Sequence, residues 1–308
     1  MQHSITALGT ALACVLLGLG CSSGSGTDAG RAPTTTRTEE PADDCAGDSE
    51  ALPRDGAATI TVDGHERQYL VSAPAEPGDG PLPLIVNLHG HGGSAAQHEA
   101  NTELGAEGSA RGFVVVTPGG LGDPARWNFD RQPDGADDYR FIDELVADLV
   151  GRYCIDAERI HVVGSSNGAA FAGLLACTAP YRFTAVAMVI ATMPSTCIDS
   201  IAPARLTIRG TADVTVPYGD TPGIIATDAE HHGCDLPAEV DHPMPGVDRT
   251  RYSGCHDDAE IVLDTVVGGV HAWPGSANAV RSDNSRAGVE FPATDEVLDF
   301  FARVGGSS

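Results

Sequence analysis

Arg159-Ile160-His161-Val162-Val163-Gly164-Ser165-Ser166-Asn167-Gly168-Ala169-Ala170-Phe171 decides how the rest of the chain is organised. Residues 159–164 are apolar and β-branched enough to form a buried strand, and the small residues of 168–176 suit a helix. Between them Gly164-Ser165-Ser166-Asn167-Gly168 fits G-x-S-x-G, so Ser166 falls where a strand turns sharply into a helix. A serine at such a turn adopts a strained backbone conformation, and flanking glycines let strand and helix approach closely. A second match, Gly20-Cys21-Ser22-Ser23-Gly24, sits in a polar run with no strand before it and is coincidental.

Outward from that turn, strands and helices alternate. Residues 58–62 and 68–72 predict short strands around the turn dipeptide Asp63-Gly64. Leu82–Leu88 and 113–117 are continuous apolar runs, as expected of strands buried on both faces. Residues 141–153 place Ile142, Leu145, Val146, Leu149 and Val150 at helical spacing. Further strands are expected at 185–191, 206–209 and 261–267, and a last helix at 294–304. Such alternation implies parallel pairing through right-handed crossovers, with helices on both faces of a mostly parallel sheet.

Two chemical groups complete a relay with Ser166. A serine hydroxyl needs a base to take its proton, and the base needs a carboxylate to orient it. Asp213 follows the strand at 206–209, in Gly210-Thr211-Ala212-Asp213, and His271 follows the strand at 261–267, in Val270-His271-Ala272-Trp273-Pro274-Gly275. The order Ser166, Asp213, His271 is that of α/β hydrolases. An oxyanion site needs two backbone donors. One is expected at Asn167 and the other at His91, with Gly92 as the alternative, in the Gly-rich turn His89-Gly90-His91-Gly92-Gly93 after Leu88. Trp127 and Trp273 lie near this constellation in the chain and are expected at a pocket mouth, the alternative being core packing. Asp130, Asp134, Asp137 and Asp138 match no calcium-loop spacing and are expected to form a solvated acidic loop.

Composition excludes several other chemistries. All 18 basic residues are arginine, so a Walker A lysine, a pyridoxal Schiff base and a Ser-Lys dyad are absent. No G-x-G-x-x-G follows a strand, which leaves a dinucleotide site unsupported. A formal charge of −25 repels phosphate backbones, so no nucleic-acid partner is expected. No cofactor and no metal are expected either.

The N-terminal segment predicts export. Residues 5–19 are apolar or small, long enough for a signal h-region and too short for a membrane span. Leu17-Gly18-Leu19-Gly20-Cys21 resembles a bacterial lipobox, with Cys21 as the lipidated residue of the mature chain; the alternative is plain secretion with cleavage nearby. Residues 1–20 are therefore expected to be a lipoprotein-type signal peptide, 21–50 a flexible polar tether, and 51–308 one folded domain. The only membrane contact expected is the lipid on Cys21, in an extracytoplasmic, lipid-anchored or secreted protein. Beyond Cys14 and Cys21, six cysteines remain: Cys45, Cys154, Cys177, Cys197, Cys234 and Cys255. An even count in an exported chain favours disulfides, with zinc held by His231, His232, Cys234, Cys255 and His256 as the alternative.

His89-Gly90 with its Gly-rich turn, Gly164-Ser165-Ser166-Asn167-Gly168, Gly210-Thr211-Ala212-Asp213 with Val216-Pro217-Tyr218, and His271-Ala272-Trp273-Pro274-Gly275 together resemble the polyhydroxybutyrate depolymerase and feruloyl/acetylxylan esterase family. The likeness extends over about 57–301. It implies a secreted α/β hydrolase, some relatives being lipoproteins, that cleaves esters of polyhydroxyalkanoate or of plant polysaccharide. It also implies a bridge between Cys234 and Cys255. Ala169, Arg209 and Val270 depart from the family pattern without removing a catalytic group. A serine peptidase on the same fold and a non-catalytic binding protein are the rival functions.

Overall fold

A computed structural model describes residues 55–76, 80–179, 182–193 and 203–305. The signal segment, the tether, Cys21, Cys45 and Cys197 lie outside the described residues.

Strands β1 (Asp55–Val62) and β2 (His65–Ser72) form the opening hairpin, and β3 (Leu82–Leu88) follows. Asp63 and Gly64 both have positive φ, 51° and 77°, as a tight two-residue hairpin turn requires. Helices α1 (Ala95–Thr102) and α2 (Leu104–Ala110) lead to β4 (Val114–Pro118) and to a small ribbon of β5 (Leu121–Gly122) and β6 (Ala125–Arg126). Then come α3 (Asp138–Arg152), β7 (Ile155–Ser165), α4 (Asn167–Thr178), β8 (Ala185–Val189) and β9 (Ala204–Gly210). Helix α5 (Thr221–His231), strands β10 (Glu239–Met244), β11 (Val247–Tyr252) and β12 (Ile261–Val266), and helices α6 (Ala277–Ser282), α7 (Arg286–Glu290) and α8 (Ala293–Val304) complete the described chain.

The main sheet runs β1-β2-β4-β3-β7-β8-β9-β12-β11-β10. Its six central strands, β4 to β12 in that order, are parallel, and an antiparallel hairpin extends it on each side. Strand alternation sends side chains to two separate cores. Leu84, Val86, Leu88, Val162 and Met188 pack with α3 and α4 on one face. Ile85, Val163, Val189 and Ile208 pack with Phe300 and Phe301 of α8 on the other. A third, smaller core joins α5 to β11 and β12 around the Cys234–Cys255 disulfide. This bridge occupies both thiols, so they are not zinc ligands. Cys154 and Cys177 are also disulfide-bonded.

In the parallel region β3 pairs with β4 on one side and β7 on the other. The connections leaving β3 and β7 therefore diverge, opening a crevice at the carboxyl ends of these two strands. This is where the His89–Gly93 turn and Ser166 meet.

In the acidic loop Asp130, Asp134 and Asp137 are exposed, as expected, but Asp138 is not. Asp137 caps α3 by accepting from the Arg140 amide. Asp138 is buried, pairs with Arg67 at 2.6 Å and accepts from the Asn128 amide at 2.7 Å. Arg67 is buried with it and also donates to the Gly119 carbonyl. An apolar environment tolerates these charges because each has its partner.

Candidate active site

Ser166 sits between β7 and α4 with φ 52° and ψ −115°, a backbone conformation sparsely populated by non-glycine residues. Its amide donates to the Val189 carbonyl at 3.0 Å, tying the turn to the adjacent strand. Close approach on both sides explains the flanking glycines. A Cβ on Gly164 would lie 2.3 Å from the Gly168 carbonyl oxygen, and one on Gly168 would lie 2.4 Å from the carbonyls of Leu88 and His89.

Three loops converge here. The Ser166 hydroxyl lies 2.9 Å from His271 Nε2, and His271 Nδ1 lies 2.7 Å from Asp213 Oδ2. The Asp213 side chain is fully buried, and its other oxygen accepts from the amides of Thr215 and Val216, each at 2.9 Å. A buried carboxylate so supplied with donors is fixed in orientation. The acid and histidine loops are bound to each other. The Ala212 amide donates to the Gly269 carbonyl at 2.9 Å, and the Gly268 amide donates to Thr211 Oγ1 at 2.8 Å. Asp283 accepts from the Val270 amide at 3.0 Å, one residue before His271.

Arg209, at the end of β9, is buried and donates to the carbonyls of Val216 and Pro217 at 2.7 and 2.9 Å. Burial lowers its pKa, and the nearby Asp213 charge works against that shift. The guanidinium thus holds the loop that carries the carboxylate, a role that sequence spacing alone does not announce.

The turn after β3 supplies the second element. Asn167 is the first residue of α4, so its amide has no partner within the helix. Among the described residues the His91 amide has no recorded acceptor, whereas the Gly92 amide is committed to the Ala125 carbonyl at 2.7 Å. That commitment removes Gly92 as the alternative donor. His89 braces the turn. It is buried, burial lowers its pKa, Nδ1 contacts the Gly90 carbonyl at 2.7 Å, and Nε2 accepts from the Gly120 amide at 2.9 Å. These contacts define a neutral imidazole with its proton on Nδ1.

The two tryptophans part company. Trp127 is not at the pocket mouth: it is 1 % exposed, stacks on Phe171, and donates its indole N–H to the His89 carbonyl at 2.8 Å. Its main chain is held by the Asn167 side chain, which accepts from the Trp127 amide at 2.8 Å. The large aromatic fills the space beneath the turn and never reaches the cleft. Trp273 does line the cleft but is 2 % exposed, with its indole donating to Thr294 and its ring edge-on to His98.

The cleft has a volume of about 810 Å³ and holds Ser166, His271, His91 and Trp273 in its wall. It also contains groups that the sequence did not single out: His98, Gln97, Asn101, Ile190, Asn278 and Arg281. Ile190 carries a positive φ of 55° beside Ser166, a non-glycine outlier for which no sequence pattern gives a signal.

Residues 68–221, half of the chain, match the family described as esterase PHB depolymerase. The chain belongs to this esterase family. NocK of Nocardia uniformis subsp. tsuyamanensis, named for an esterase, is 29% identical over 73% of this chain and 76% of its own length. Feruloyl esterase B of Piromyces equi is 26% identical over 67% of this chain, which spans 42% of that longer protein. The acetyl xylan esterase from Aspergillus awamori superposes with a TM-score of 0.57 at 16% identity, covering 80% of this chain and 99% of that one. The α/β-hydrolase fold is thus shared, and the chain is an ester hydrolase by family. Among the described residues no helix is long and apolar enough to cross a membrane.

Proposed function

We propose that the protein is an extracytoplasmic serine ester hydrolase acting through an acyl-enzyme. The observation that carries this reading is the unbroken run from Ser166 Oγ to His271 Nε2 at 2.9 Å and from His271 Nδ1 to Asp213 Oδ2 at 2.7 Å. Ser166 attacks the ester carbonyl while His271 takes its proton. Asp213 holds the imidazole with its proton on Nδ1 and favours the imidazolium that forms. The amides of His91 and Asn167 receive the negative charge on the tetrahedral oxygen. His271 then returns the proton to the leaving alcohol, and a water molecule, activated by the same imidazole, hydrolyses the acyl-enzyme. No residue in this cycle requires a metal or an organic cofactor.

The substrates proposed are polyhydroxyalkanoate-type polyesters or the feruloyl and acetyl esters of plant polysaccharide, in keeping with the names of the relatives. The apolar run at 5–19 and the lipobox-like residues before Cys21 support export, with the lipid on Cys21 as anchor. Purified protein is to be assayed against methyl ferulate, acetylated xylan, short hydroxybutyrate oligomers and a peptide p-nitroanilide. Free acid should appear from at least one ester class and not from the anilide. Cleavage of the anilide with all esters left intact would reverse the assignment in favour of a peptidase.

A further inference from the structure

The cleft stands apart from the rest of this acidic molecule. The chain has 43 acidic residues against 18 basic ones, yet not one aspartate or glutamate is among the residues lining the cleft. Its one permanently charged lining residue is Arg281 on α6. Most of the other described arginines are engaged by carboxylates, among them Arg67 by Asp138, Arg111 by Asp295 and Asp299, Arg140 by Asp63 and Glu144, and Arg249 by Asp264 and Glu296, while the buried Arg209 is held by main-chain carbonyls. Among the described residues Arg281 forms no ion pair. Its Nη2 donates to the side-chain oxygen of Asn278, one turn earlier on the same short helix. A neutral partner orients the guanidinium without cancelling its charge, and leaves its other edge available.

A lone arginine in a wall free of carboxylates attracts an anion, and its planar fork suits a carboxylate. The neighbouring wall is made of neutral donors and acceptors: Gln97, Asn101, Asn278 and Ser282. In so acidic a protein a cationic cleft also concentrates an anionic ligand that the surrounding surface repels. We propose that Arg281 is a specificity-determining residue that binds a free carboxylate carried by the substrate. The preferred ester thus bears a negative charge on its acyl or its alcohol side, a short distance from the bond that Ser166 attacks. The inference rests on the ester-hydrolase reading above and narrows it to anionic esters.

Two matched pairs of probes test it on the full chain. The linear dimer of 3-hydroxybutyrate and its terminal carboxamide differ in charge on the alcohol side. Mono-p-nitrophenyl adipate and its terminal carboxamide differ in charge on the acyl side. The unsubstituted protein should cleave the acid of one pair with a kcat/KM about tenfold above that of its amide, chiefly through KM. This preference should shrink as salt rises from about 0.05 to 0.5 M. Arg281→Gln should bring the acid-to-amide ratio close to one, and Arg281→Lys should restore part of it. Equal rates for acid and amide in both pairs, or an unchanged ratio in Arg281→Gln, would overturn the proposal while leaving the ester-hydrolase reading intact. No cleavage of any of the four, with p-nitrophenyl acetate also untouched, would overturn both.

Discussion

The indole N–H of Trp127 donates to the main-chain carbonyl of His89 at 2.8 Å, linking a buried aromatic to the first residue of the turn that carries the proposed oxyanion donor His91. The tryptophan is thus a support for the backbone of the cleft. Its ring packs between His89 and Phe171, with centroids 5.0 and 5.5 Å away.

Trp127→Phe keeps an aromatic ring on Phe171 but removes the N–H donor and part of the ring volume. The buried His89 carbonyl loses its partner, which should cost about 1–3 kcal/mol of stability. Turnover of a p-nitrophenyl ester should fall about tenfold because the turn is no longer held in register. Urea unfolding and steady-state kinetics on the same preparation measure both. Unchanged turnover in a destabilised variant would confine Trp127 to a packing role.

Gly168→Ala should be far more severe. The added methyl meets two carbonyl oxygens at 2.4 Å, both belonging to the backbone that ends β3, and backbone cannot rotate aside as a flexible side chain does. The expected result is at least a hundredfold loss of turnover, or failure to accumulate as folded protein. Gly151→Ala is the matched control. It lies on the exposed side of α3, where a methyl meets nothing within 4 Å, and should stabilise by up to about 1 kcal/mol. Circular dichroism melts of the pair distinguish steric conflict from a general intolerance of alanine.

Two buried histidines outside the proposed relay predict how stability responds to acid. Burial drives His98 and His161 down to about 3 from their ordinary 6.5. Between about pH 3 and 6.5 the unfolded chain therefore binds protons that the folded chain refuses. The stabilising contribution of each is complete above pH 6.5 and is lost as pH falls through this window, at up to about 1.4 kcal/mol per pH unit. His161→Asn should make the slope of unfolding free energy against pH shallower by close to one proton near pH 5. Urea melts at pH 4 to 7 provide that slope, and a variant with the wild-type slope would contradict the prediction.

Much of this fold was legible because its signals are strong and local. The apolar runs of β3, β4 and β8 are buried on both faces, and the stripe Ile142, Leu145, Val146 and Leu149 lies on the core side of α3. Elements lacking such signals went unread. Helix α1, Ala-Ala-Gln-His-Glu-Ala-Asn-Thr, has no apolar stripe and is defined by its Ser94 cap. Strand β10, with five of six residues exposed and a proline inside, survives by pairing with β11. Within the site, the motif spacing of Ser166, Asp213 and His271 marks them in sequence. Arg209, Asn278 and Arg281 carry no motif, because their parts depend on which loops meet in space. Trp127 was misplaced for the same reason: nearness in the chain says nothing about which side of a turn a ring will occupy.

The account depends most on the nucleophilic character of Ser166. Treating the full chain with a fluorophosphonate and mapping the adduct by peptide mass spectrometry tests this directly. The predicted result is one stoichiometric adduct on Ser166 that disappears in Ser166→Ala. Labelling at a different serine, or none at all in protein that is folded, would contradict it.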